Sequence, residues 1–213
     1  MERRATKDFK INQKEALRYL GYKNTAPDEA TKALLESCEK ELMDAVQPKC
    51  IYEKTAVKIQ ESTIDFGFMQ VQSAALAKNL QGCKSAYIFA ATLGPGADRL
   101  IERWGKVSPA KSVVTDALAS AAIEAFCNKI NAELEAAEPL HPRFSAGYGD
   151  FDIKHQQDIL HFLDTHRKIG LYLSDSLLMV PTKSVTAVIG IGPKMTCKTG
   201  CAACEKTDCA YRA

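Results

Sequence analysis

Apolar residues recur every three or four positions along much of the chain, a spacing that places them on one face of an amphipathic helix. The longest example starts at Ser108-Pro109, where Ser is a favoured cap and Pro suits the first helical position. From there to about residue 137, a slowly drifting stripe predicts a long, largely buried helix. The stripe consists of Val114, Leu118, Ala122, Phe126, Ile130 and Leu134. Other helices are predicted at residues 12–22, 68–80 and 154–164, and from the break at 94–96 through Trp104. One more is predicted to begin at Pro27, with a buried stripe of Ala33, Leu34, Met43 and Val46.

Strands are predicted where apolar positions alternate, or where short apolar runs carry β-branched and aromatic residues. Such segments lie at residues 51–60, 84–92, 171–173, 177–180 and 184–191. Pro181-Thr182-Lys183 is the predicted turn between the last two, which favours antiparallel pairing. Helices and strands do not alternate as a doubly wound sheet requires. The predicted class is therefore α+β, a twisted, largely antiparallel sheet with long helices packed on it, followed by a short Cys-rich C-terminal tail.

Composition restricts the class of protein and its partners. The 213 residues are 46% hydrophobic, and 28 Lys+Arg against 26 Asp+Glu give a formal net charge of +2. These values are typical of a globular protein, and we expect one main domain at residues 1–195 and a metal-binding tail at 196–213. Dispersed charge of both signs indicates no nucleic acid and no membrane as partner. A charged start and the lack of any run of about eighteen apolar residues favour a cytoplasmic location.

Half of the eight cysteines lie close together in the tail, at Cys197, Cys201, Cys204 and Cys209. A reducing compartment argues against disulfides, and neighbouring thiolates repel one another unless a metal ion neutralises them. Four thiolates suit either tetrahedral zinc or a [4Fe–4S] cluster. The spacing matches neither the bacterial ferredoxin run nor a common zinc finger. We predict a metal site and favour the cluster over zinc, with free, redox-active or disordered thiols as the remaining alternative.

The loop at residues 143–149 combines three features that suit a ligand. Arg143 brings a planar charged fork, Ala146-Gly147 a backbone that a ligand can approach closely, and Tyr148 an aromatic face. Together they suit a zwitterionic or sulfonium-bearing adenosyl compound. The alternative is a plain connector with a buried Tyr and a surface Arg. Glu124 on the long helix has small neighbours, which would leave a depression for an ammonium group or ribose hydroxyl; otherwise it is a solvated surface charge.

Three segments carry a wider resemblance. They are Arg143-x-x-x-Gly147-Tyr148, the run from Ile169 through Met179-x-Pro181 to Ser184-Val185, and the helical stretch from Ala117-Leu-Ala to Glu124-Ala-Phe. At this order and spacing, the chain resembles the S-adenosylmethionine-binding reactivation (activation) domain of cobalamin-dependent methionine synthase over about residues 117–190. The family's loop continues Gly-Tyr-Pro, whereas Gly149 stands in place of Pro here. Because that enzyme's catalytic domains are missing from this sequence, the resemblance implies a separate subunit.

The resemblance implies a protein that presents S-adenosylmethionine to a cobalamin held on another polypeptide, a methionine synthase or other corrinoid methyltransferase. In that family, inert Co(II)cobalamin returns to methylcobalamin by one-electron reduction coupled to methyl transfer. Arg143 would then bind the methionine carboxylate, Tyr148 and the backbone of Ala146 and Gly147 the adenosyl part, and Glu124 the ammonium or ribose. The electron would come through an iron–sulfur tail or from a flavodoxin or ferredoxin. The alternative function is a metal-binding electron-transfer or assembly protein that does not bind S-adenosylmethionine.

Overall fold

The computed structural model describes residues 1–22 and 25–193 of the chain. Its first elements are β1 (Glu2–Ala5), α1 (Gln13–Tyr19), α2 (Glu29–Ala45), β2 (Lys49–Ala56), β3 (Lys58–Gln60), β4 (Thr63–Asp65), β5 (Gln70–Gln72), α3 (Ala74–Asn79) and β6 (Ser85–Thr92). They are followed by α4 (Pro95–Val107), α5 (Pro109–Glu135), α6 (His155–Leu163), α7 (Thr165–Ile169), β7 (Tyr172–Leu173), β8 (Met179–Val180) and β9 (Ser184–Ile191). Antiparallel pairing joins the strands into a central sheet in the order β1-β2-β6-β9 and two small sheets, β3-β4-β5 and β7-β8. The α+β class is confirmed.

The central sheet separates two hydrophobic cores. Successive residues of a strand point to opposite faces, so Phe89 and Ala91 of β6 enter one core while Ile88 and Ala90 enter the other. The first core also contains buried residues of α1, α2, α4 and α5, and the second those of β4, β5, α3, α6 and α7. A strand that is covered on both faces needs a continuous apolar run. This requirement explains the run at residues 84–92, and the strand predicted there is confirmed.

The long helix α5 packs against α1, α2 and α4. All six residues of the predicted stripe are buried. Ala119, Ala121 and Cys127 are buried as well, because neighbours on more than one side widen the covered face. Full burial of a residue such as Leu118 contributes about 1.5–3 kcal/mol relative to an exposed one. No helix within residues 1–22 and 25–193, α5 included, has the length and apolar character needed to cross a membrane.

The prediction of one helix at residues 68–80 is wrong. Its first part is β5, in which Val71 is buried and paired opposite Ile64 of β4. The helix α3 begins only after Ser73, whose hydroxyl accepts a hydrogen bond from the backbone N–H of Leu76 at 3.0 Å. A serine cap satisfies one of the unpaired N–H groups at a helix start. Local capping and strand pairing therefore override the helical spacing.

The predicted pairing of the last two strands is also wrong. β9 pairs with β6 along its whole length, from Ser184 opposite Thr92 to Ile191 opposite Ser85, and β8 pairs with β7 instead. The apolar run of β9 is buried as the edge of the central sheet, where it gains more apolar contact than a small surface hairpin offers. Residues 51–60 likewise divide into β2 and β3, which lie in different sheets.

The buried stripe of α2 differs from the predicted one. Leu35, Cys38 and Leu42 are fully buried, and Ala33 is exposed. Three- and four-residue steps from Leu35 lead to Cys38, Leu42 and the buried Val46, so the helical period is confirmed while its phase is shifted.

Candidate functional site

Arg143 lies in an extended segment at the edge of the central sheet. The next residue, Phe144, exchanges two backbone hydrogen bonds with Val188 of β9: its N–H donates to the Val188 carbonyl at 2.9 Å, and it accepts from the Val188 N–H at 2.8 Å. The Phe144 ring packs against the second core. Because neighbouring residues of extended backbone point to opposite faces, Arg143 is directed toward the face that α5 covers.

Two side chains of α5 bind the same nitrogen of Arg143. Nη2 donates to a carboxylate oxygen of Glu124 at 2.9 Å and to Oδ1 of Asn128 at 2.8 Å. Glu124 and Asn128 are four residues apart and so lie on one helix face. The side chains of Arg143 and Glu124 are 19% and 43% exposed. A partly exposed ion pair contributes only about 0–1 kcal/mol to folding, so its main effect is to hold a guanidinium group in a fixed place.

Cys127 lies between Glu124 and Asn128 in the sequence and is fully buried in the first core. Burial raises the pKa of its thiol well above the ordinary value; the Arg143 charge opposes this shift and the Glu124 charge adds to it. The thiol is therefore protonated at neutral pH. Since the thiolate is the reactive form, Cys127 serves as a packing residue and not as a nucleophile.

A groove of about 630 Å³ runs along α5 toward Glu124. It is lined by Tyr19, Leu20, Ile101, Ser112, Val113, Asp116, Ala117 and Ser120. Lys183 bridges two of these residues, with Nζ 2.8 Å from a carboxylate oxygen of Asp116 and donating to Oγ of Ser120 at 3.0 Å. Ser120 lies one helical turn before Glu124. Burial has the largest effect on the pKa of Tyr19 and raises it; Glu15, and to a smaller extent the Glu124 charge, also raise it.

The tip of the loop is built on two residues with positive φ. Gly147 has a φ of +93° and Gly149 a φ of +56°, both in the region that glycine adopts without steric cost. The Gly147 N–H donates to the Phe151 carbonyl at 2.7 Å. Tyr148 is 66% exposed, with its ring 6.4 Å from that of Phe144. Ala146 is buried in the second core, so the backbone is the part of Ala146 that a ligand could reach.

Asp150 ties the end of this loop to α3. Its carboxylate accepts hydrogen bonds from the Ser73 hydroxyl and from the backbone N–H groups of Ala74 at 2.7 Å and Ala75 at 3.1 Å. The Ser73 hydroxyl is the main cause that lowers the pKa of Asp150. The loop packs closely against α3: a Cβ placed on Gly149 would lie 3.0 Å from Cβ of Ala75. The φ of Gly149, +56°, is one that proline cannot adopt because its ring fixes φ at about −65°, so the backbone conformation explains glycine rather than proline at this position.

The structure brings Arg143 and Glu124 into direct contact and places Ala146, Gly147 and Tyr148 on the loop that Arg143 begins. The connector alternative required a buried Tyr and a surface Arg, whereas Tyr148 is 66% exposed and the side chain of Arg143 is 19% exposed. The four tail cysteines, Cys197, Cys201, Cys204 and Cys209, lie outside the described residues. Within the described part of the chain, no cluster of three or more His, Cys, Asp or Glu side chains could hold a metal ion.

Two residues of this site were missed by the sequence reasoning. Asn128 had a usable signal, since it follows Glu124 by one helical turn and shares its face. Asp150 had none, because its partners Ser73, Ala74 and Ala75 lie more than seventy positions away in the sequence.

These observations define an α+β domain whose antiparallel sheet is covered on both faces, with an arginine-bearing loop against its longest helix. A crystal structure of the MetH reactivation domain bound to AdoHcy has the same fold, with a TM-score of 0.72 over 92% of this chain and 80% of that chain. The two sequences are 15% identical, so the likeness establishes the fold and confirms the resemblance at that level. No protein-family model matches the sequence. No curated protein matches it significantly.

Proposed function

We propose that this protein binds S-adenosylmethionine between α5 and the loop at residues 143–149, and that it supports reductive remethylation of Co(II)cobalamin on a separate methionine synthase or corrinoid methyltransferase. The observation that carries the proposal is the 2.9 Å contact between Arg143 and Glu124. It occurs in a fold shared with a domain that was crystallised with AdoHcy.

A carboxylate beside a guanidinium is complementary in charge to the ammonium and carboxylate groups of an amino acid. In the proposed complex, Arg143 binds the methionine carboxylate, since charge-assisted hydrogen bonds to a planar guanidinium are strong and directional. Glu124 receives the ammonium group or a ribose hydroxyl. The Tyr148 ring and the backbone of Ala146 and Gly147 contact the adenosyl part. The exposure of Tyr148 leaves its aromatic face free to pack on a ligand, as the proposal requires.

The residues of this chain would contribute position and orientation. Cobalamin, held by its own protein, would supply the cobalt chemistry, in which one electron and the methyl group of the sulfonium would be accepted and S-adenosylhomocysteine would be released. Fixing the methyl donor at a surface loop lowers the entropic cost of bringing the two reactants together. A flavodoxin, a ferredoxin or the Cys-rich tail would provide the electron.

Isothermal titration calorimetry with S-adenosylmethionine tests the binding step. The wild type should bind, and Arg143→Ala should lose about ten- to a hundredfold in affinity, because it removes the charged partner of the carboxylate. Arg167→Ala is the matched control, since Arg167 on α7 is 85% exposed and pairs with Asp164 at 3.8 Å. Absence of binding by the wild type, or equal affinity in Arg143→Ala, would contradict the proposal. Absence of binding would favour the metal-binding alternative instead.

We also propose that Cys197, Cys201, Cys204 and Cys209 bind a metal, with a [4Fe–4S] cluster favoured because remethylation consumes an electron. The support is the ligand number and type in the sequence. Protein purified anaerobically should contain about four iron and four sulfide per chain, with the broad visible absorption of a cluster. Stoichiometric zinc without iron would exclude the cluster in favour of a tetrahedral site, and a sample with neither metal would exclude both.

A further inference from the structure

We infer that Asn128 is a further ligand-binding residue: its amide group donates to the carboxylate of the ligand and makes the site selective for adenosyl compounds that carry one. This inference rests on the proposed function, because it takes Arg143 as the partner of that carboxylate. The geometry that supports it is the shared contact of Glu124 and Asn128 with Nη2 of Arg143.

The orientation of the Asn128 amide follows from the chemistry of its partner. A guanidinium group has donors and no acceptor, so Asn128 must present its oxygen to Arg143, as the 2.8 Å contact shows. The amide nitrogen then points away from Nη2 with two hydrogens to donate. Asn128 is an exposed residue, and Nδ2 has no hydrogen-bond partner among the described residues. A donor is therefore available beside the guanidinium.

The remaining donors of Arg143 lie next to this amide. Nη2 carries two hydrogens, and Glu124 and Asn128 accept one each. The other two nitrogens of the guanidinium, Nη1 and Nε, have no hydrogen-bond partner among the residues that the structure describes. One of these two nitrogens lies next to the Nη2 hydrogen that Asn128 accepts. One carboxylate oxygen can bind that donor while the other binds Nδ2 of Asn128. The two groups together form a two-donor fork without displacing Glu124.

Changing Asn128 to Asp separates a ligand contact from support of Arg143. An aspartate has nearly the same shape and would accept from Nη2 at least as well as the amide oxygen does. However, an ionised aspartate has no hydrogen to donate, and its charge would repel a ligand carboxylate. A purely supporting role thus predicts unchanged or stronger binding, whereas a role in carboxylate recognition predicts weaker binding.

The experiment is calorimetric titration of the full chain with S-adenosylmethionine and with decarboxylated S-adenosylmethionine, which lacks the carboxylate. We expect Asn128→Asp to lose about tenfold or more in affinity for S-adenosylmethionine and to keep or increase its affinity for the decarboxylated compound. Gln60→Glu is the matched control, because it adds the same charge at an exposed position away from the site. Gln60 lies on β3, which belongs to the small β3-β4-β5 sheet and not to the central sheet. That control should leave both affinities unchanged.

The outcomes distinguish this inference from the proposed function. If the wild type binds S-adenosylmethionine and Arg143→Ala binds it more weakly, but Asn128→Asp binds both compounds as the wild type does, only the role of Asn128 is overturned. A parallel loss for both compounds also overturns it, because it shows general damage to the site. If the wild type binds neither compound, the proposed function and this inference fail together.

Discussion

Replacing Arg143 with Met should lower the free energy of unfolding by about 1 kcal/mol or less, because partly exposed ion pairs contribute little to folding. Met keeps the apolar stem and removes the charge. Glu124, 43% exposed, and Asn128, also exposed, can then be hydrated, so the change leaves no buried unpaired group on α5. Two unit charges about 4 Å apart interact by about 1 kcal/mol in water and more near a protein surface, and desolvation and lost side-chain entropy offset part of that gain.

Urea denaturation of four proteins measures this contribution: the wild type, Arg143→Met, Glu124→Gln and the double variant. The coupling energy from the cycle should be about 0.5–1 kcal/mol. A cost of about 3 kcal/mol or more for Arg143→Met, the range expected when one partner of a buried pair is removed, would refute the reasoning. The pair would then be part of the folded core, and loss of ligand binding in Arg143 variants could no longer be assigned to a missing contact.

Three further predictions concern the loop anchor, the long helix and the buried thiols. Asp150→Asn should reduce stability at pH 7 by about 1 kcal/mol, because the carboxylate accepts hydrogen bonds from the first two N–H groups of α3, those of Ala74 and Ala75. Since the folded pKa of Asp150 is lowered, its contribution is present above the unfolded pKa and is lost as the pH falls through the folded value, so the difference between the urea midpoints of wild type and variant should shrink as the pH falls below the ordinary range of an aspartate. Leu118→Ala should cost about 2–5 kcal/mol in the same assay, and a smaller loss would show that the site collapses around the cavity. Burial raises the pKa of Cys83 to about 11 and of Cys50 to about 12, so a thiol reagent at pH 8 should modify both slowly until the protein unfolds; rapid native modification would contradict their burial.

Long, strongly periodic elements could be predicted from the sequence. The four-residue recurrence from Val114 to Leu134 gave the buried face of α5, and the unbroken apolar run at residues 84–92 gave an interior strand. Each pattern repeats over enough positions to outweigh local alternatives. Short elements could not be predicted in this way. At residues 68–80, pairing of β5 with β4 and the Ser73 cap decide the structure, and neither is visible in the helical spacing.

The same distinction applies to the candidate site: residues with a local signal could be predicted, and residues placed by long-range contacts could not. Residue type, local spacing and the family resemblance predict Arg143, Tyr148 and Glu124 as site residues, and the structure adds the contact of Arg143 with Glu124. The support of the site by Asn128 and Asp150 depends on how α5 and α3 meet the loop in three dimensions. Long-range contacts of this kind leave no periodic trace in one sequence.

The structure of the protein in complex with S-adenosylhomocysteine is the most direct test of the central claim. The homocysteine carboxylate should lie about 2.7–3.2 Å from a guanidinium nitrogen of Arg143, with the adenosyl part against Tyr148. A ligand bound elsewhere, for example in the groove between Tyr19 and Ser120 with no contact to Arg143, would contradict this prediction.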